Sequence, residues 1–65
     1  METYTVIQGN QLVWHGNSLD EATCRVKLLR IYENLTADRP FIVRNSDCAV
    51  LNDRGETMAE ELERN

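Results

Sequence analysis

Residues 18–35 read Ser18-Leu-Asp-Glu-Ala-Thr-Cys-Arg-Val-Lys-Leu-Leu-Arg-Ile-Tyr-Glu-Asn-Leu35, with neither Gly nor Pro. Ser18 and Glu21 have the spacing of a capping box, in which hydroxyl and carboxylate each take a backbone amide at the helix start. Asp20 and Glu21 put negative charge at the positive end of the helix dipole, and Lys27 and Arg30 follow further along. The stretch predicts one long helix, and the rest of the chain is arranged on either side of it.

Placing these residues at about 100° intervals separates two apolar stripes. Leu19, Ala22, Val26 and Leu29 form one. Cys24, Leu28, Ile31, Tyr32 and Leu35 form the other, roughly opposite; the dependably polar sector (Asp20, Thr23, Lys27, Arg30, Asn34) is narrow, and Arg25 and Glu33 interrupt the rest but can extend outward along their stems. A helix resting on one sheet needs one stripe. The second needs a cover, either from Met58 and Leu62 near the C-terminal end or from another protein surface. The simplest such surface is a second copy, so the spacing predicts a homodimer with Cys24, Leu28, Ile31, Tyr32 and Leu35 at the interface.

On the N-terminal side, Thr3–Gln8 and Gln11–His15 are rich in β-branched and aromatic residues, and Gly9-Asn10 joins them as a tight hairpin turn. A regular register sets Ile7 opposite Leu12, Val6 opposite Val13 and Thr5 opposite Trp14. Alternation then puts Tyr4, Val6, Val13 and His15 on one side, and Ile7, Leu12 and Trp14 on the other. Both sides are partly apolar.

Beyond the helix, Pro40 turns Arg39 out of helical geometry. Phe41–Arg44 and Asp47–Leu51 read as a second hairpin around Asn45-Ser46, with Arg44 opposite Asp47. Phe41, Val43, Cys48 and Val50 are then expected on the core side. Asn52–Gly55 is a turn, and Thr57–Arg64 suits a short helix opened by a second capping box, Thr57 with Glu60. The expected fold is α+β in two layers: a four-stranded, mostly antiparallel β-β-α-β-β sheet with the long helix on one face. Residues 1–55 make the domain, and residues 56–65 make an acidic C-terminal helix or tail.

The 65 residues carry a net charge of −4. Residues 1–52 are nearly neutral, six acids against five bases, whereas 53–65 hold five acids against Arg54 and Arg64. This balance argues against direct binding to nucleic acid or to an anionic membrane. No apolar run approaches the roughly 18 residues of a membrane span. The opening Met-Glu-Thr-Tyr does not read as an export signal, which makes a cytoplasmic protein the expectation. Cys24 and Cys48 are accordingly expected as reduced, buried thiols.

Chemical motifs are sparse. His15 is the single histidine, and no nucleophile or orienting carboxylate is spaced to converge on it. His15, Cys24 and Cys48 lack paired metal-ligand spacing, and isolated glycines make neither a dinucleotide fingerprint nor a phosphate loop. No cofactor is expected.

The pattern implies a small non-enzymatic protein–protein interaction or regulatory module, homodimeric through the helix. Trp14 and the acidic Glu56, Glu60, Glu61 and Glu63 are its candidate partner-docking residues. Two other readings compete. One is a regulator, of the kind phage and mobile elements encode, whose acidic end docks on a nucleic-acid-handling protein. The other is a small enzyme or ligand carrier using His15 and Trp14 at a dimer cleft.

Overall fold

The computed structural model describes residues 1–32 and 38–64. Its elements are β1 (Tyr4–Gln8), β2 (Gln11–Gly16), α1 (Leu19–Tyr32), β3 (Phe41–Arg44), β4 (Ala49–Leu51) and α2 (Met58–Arg64). The sheet is antiparallel throughout, in the order β2-β1-β3-β4. With β1 between them, β2 and β3 run in the same direction. The chain must therefore return along the sheet before starting β3, and α1 makes that return across one face.

Ser18 caps α1 through the hydroxyl half of the predicted capping box. Its hydroxyl accepts the Glu21 amide at 3.2 Å, and its carbonyl takes the first helical bond, from Ala22. The inner stripe meets the sheet: Ala22 and Val26 are buried with Val6, Ile42 and Leu51, and Leu19 and Leu29 pack around them beside Tyr4, Trp14 and Ala49. At about 25 cal/mol per Å² of apolar area, this cluster is the main stabilising term.

The first hairpin follows the expected register at Ile7↔Leu12 and departs from it beyond. The pairs become Val6↔Trp14, Thr5↔His15 and Tyr4↔Gly16, with a bulge that leaves Val13 as the extra residue. The bulge moves Trp14 to the helix side with Tyr4 and Val6, and His15 to the opposite side with Ile7 and Leu12. On the helix side the Trp14 ring folds back over Gly16, where an added Cβ would lie 2.6 Å from it. The turn itself has φ of +62° at Gly9 and no positive φ at Asn10, the type II′ arrangement.

The second hairpin corrects the sequence reading more strongly. Asn45–Cys48 form a four-residue loop, and β4 begins at Ala49, so Arg44 faces Ala49 and Val43 faces Val50. Asp47 causes the shift. Its carboxylate folds back to accept two bonds from Arg44, at 3.0 and 2.7 Å, and the Ala49 amide at 3.2 Å, closing the loop on itself. Cys48 ends the loop in the left-handed region, φ +57°, with its thiol exposed. The core side is also reversed. Because Ile42 pairs with Val6 and Leu51, those residues face α1, while Phe41, Val43 and Val50 face away.

After β4, the Asn52 side-chain oxygen accepts the amides of Arg54 and Glu56, both at 2.9 Å, and turns the chain toward α2. The Thr57–Glu60 capping box is complete in both directions. No residue of α2 is buried, and Met58 and Leu62 are exposed. They leave the outer stripe of α1 uncovered.

Candidate functional site

Two apolar surfaces stand open on this fold. The larger is the sheet face turned away from α1. Cross-strand pairing orders it in two rows, Leu12–Ile7–Phe41 and His15–Thr5–Val43–Val50. Leu12 and Val50, at opposite edges, are 64% and 58% exposed, and Ile7, Phe41 and Val43 are half-buried between them. An antiparallel sheet in water usually carries polar side chains on its free face; here one corner alone is polar.

At that corner Thr5 is buried and fully partnered. Its hydroxyl has one proton, donated to Asn45 Oδ1 at 3.1 Å, so it accepts from His15 Nδ1 at 3.2 Å. The ring proton of a neutral His15 is thereby placed on Nδ1. Asn45 Nδ2 continues the chain to Thr3 Oγ1 at 3.0 Å. The four side chains pin the loop after β3 to the start of β1. His15 thus serves as an anchor at the edge of the face, bonded among the described residues to the Thr5 hydroxyl and to no carboxylate.

The smaller surface is the outer stripe of α1. Cys24, Leu28 and Ile31 are exposed, the last two at 42% and 67%. Tyr32 closes the helix, and Leu35 lies outside the described residues. Cys24 and Cys48 are both free and exposed, contrary to the expectation of burial. Cys24 belongs to the open stripe, and Cys48 was carried into the loop by the shifted register.

The acidic docking residues divide into two kinds. Glu56 pairs with Arg64 at 3.1 Å and takes an Asn52 amide proton at 3.3 Å. Glu60 is occupied by Thr57, whose amide and hydroxyl hold its carboxyl below the usual range. Glu61 and Glu63 have no such side-chain partners among the described residues. Trp14, the other docking candidate, is half-buried against the core.

Two further contacts escaped the sequence reading, and one expected pair is made in a different setting. Glu2 accepts the Ser46 amide and hydroxyl, and chiefly through that hydroxyl its carboxyl is lowered. The expected Arg44–Asp47 pair forms within the loop rather than across paired strands, and the guanidinium, helped by the Ala49 amide, holds Asp47 at about 2. Arg30 pairs with Asp53 at 2.9 Å, tying the last turn of α1 to the turn after β4. The Glu2–Ser46 and Arg30–Asp53 contacts join residues far apart in sequence, without a motif to announce them.

Among the described residues no cluster of three or more His, Cys, Asp or Glu could hold a metal ion, and no helix is long and apolar enough to cross a membrane. Fold and surfaces define a two-layer α+β domain with an apolar free sheet face. Compared with family models, curated proteins and solved structures, the chain matches none.

Proposed function

We propose that the protein is a small non-enzymatic protein–protein interaction module that works as a homodimer in the cytoplasm. The observation that carries this reading is apolar surface left open on both sides of the two-layer domain: Leu12, Ile7, Phe41, Val43 and Val50 on the sheet, and Cys24, Leu28 and Ile31 on the helix. A chain of 65 residues has a small core, and burying such surface against a second copy adds stability that the monomer lacks. Two surfaces are therefore candidates for self-association, the outer stripe of α1 that sequence spacing suggests and the open sheet face that pairing assembles. Exposed free thiols at Cys24 and Cys48 suit a reducing compartment. With Glu56 and Glu60 engaged internally, Glu61 and Glu63 are the acids available to a basic partner.

Light scattering on a sizing column, over a dilution series and at two salt concentrations, tests the reading. A mass of twice 7.5 kDa at the upper concentrations, little changed by salt, is expected. A mass of 7.5 kDa throughout contradicts it.

A further inference from the structure

We infer that the homodimer forms through the open face of the sheet, each copy taking the same face of the other. The inference rests on the homodimer reading above and names its surface.

Charge admits a second copy as the occupant. In a two-fold contact a patch meets its own copy, so any net charge in it meets its like. The chain carries −4, yet Thr5, Ile7, Leu12, His15, Phe41, Val43 and Val50 include no carboxylate, lysine or arginine. A second copy is therefore admitted at this face without like-charge opposition from its centre. The outer stripe of α1 is less suited: Glu21 falls within its arc, and Arg25 and Lys27 lie beside it.

Area agrees. The chain exposes 4745 Å², against about 4,200 Å² expected of a folded monomer of its mass. Four strands about 4.8 Å apart and three to six residues long outline a face of roughly 19 by 15 Å. Two such faces stacked about 10 Å apart, strands some 30° from aligned, make a small contact of the weak, transient class. A single helix stripe offers about half that width. A small contact of this kind gives a dimer that dissociates in the micromolar range, on the order of 1–100 μM.

The test compares the intact chain with two double variants by light scattering across dilution: Leu12→Lys with Val50→Lys on the sheet, and Leu28→Lys with Ile31→Lys on the helix. All four sites are exposed in the single chain, so each variant should fold, which circular dichroism checks. The sheet variant is expected to raise the dissociation constant on the order of a hundredfold, because it buries like charges against each other. The helix variant should leave it within about threefold. A dimer broken by the helix variant and spared by the sheet variant overturns the inference and keeps the homodimer. An intact chain that is monomeric at every concentration overturns both. Should a sheet variant lose its fold, Leu12→Thr with Val50→Thr keeps the strand propensity, and its unaltered dimerisation would count against the inference.

Discussion

The two faces of the sheet are built from side chains of similar kind and differ in what lies over them. Toward α1 stand Val6, Ile42 and Leu51, and the first two have no exposed area at all. Away from it stand Ile7, Leu12, Phe41, Val43 and Val50, of comparable size and hydropathy, with Leu12 and Val50 more than half exposed. Composition therefore does not distinguish the core of this domain from its free surface. The inner stripe of α1 does, by covering one face. The contrast also explains why a sequence with a 42% hydrophobic share supports only five buried apolar residues among those described.

The sharpest way to break this contrast is to truncate one residue on each face. Ile42→Ala should cost about 2–5 kcal/mol of unfolding free energy, read by urea denaturation. Val50→Ala, measured where the chain is monomeric, should stay within about 0.5 kcal/mol. Equal losses would mean that the second face is also core. Next in size is the cap that fixes the covering helix. Ser18→Ala removes the acceptor of the Glu21 amide and should cost about 1 kcal/mol, with faster amide exchange in the first turn of α1.

A gain is expected from the loop that set the second face. Cys48→Gly relieves a left-handed backbone position, which costs an ordinary residue about 1–2 kcal/mol, although glycine returns part of that as chain entropy. The melting temperature should rise by a few degrees at most; a fall would show that the thiol makes a contact of its own. The smallest effect concerns acid. Asp47 has a folded value of about 2 against an ordinary 3.8, so its contribution is complete above about pH 4 and fades as pH falls toward 2. The pair is solvent-exposed and the change in stability slight. A carboxyl shift titration that places Asp47 near 4 would contradict the closed loop.

Much of the fold was legible because local signals agreed. The Ser18 and Thr57 caps, the Gly9-Asn10 turn and the inner stripe of α1 each follow from spacing over a few residues. Register was the illegible part. Val13 carries nothing that marks a bulge, and one extra residue sent Trp14 and His15 to opposite faces. Asn45-Ser46 could close a two-residue turn as written. The signal that overrides it is Asp47, two residues before Ala49 and able to cap that amide while holding Arg44. Of the candidate surfaces, the helix stripe could be read from a 3.6-residue period. The sheet face depended on pairing between β1 and β3, residues some forty positions apart, which no local pattern encodes.

One measurement bears most directly on the claim that the uncovered face meets its own copy. A sample made from equal parts of isotopically labelled and unlabelled chain, above the dissociation constant, would be examined by isotope-filtered NOE spectroscopy. Contacts between copies are expected from the methyl groups of Ile7, Leu12, Val43 and Val50, together with the Phe41 ring. Contacts between copies from Leu28 and Ile31, with none from the sheet methyls, would contradict the account.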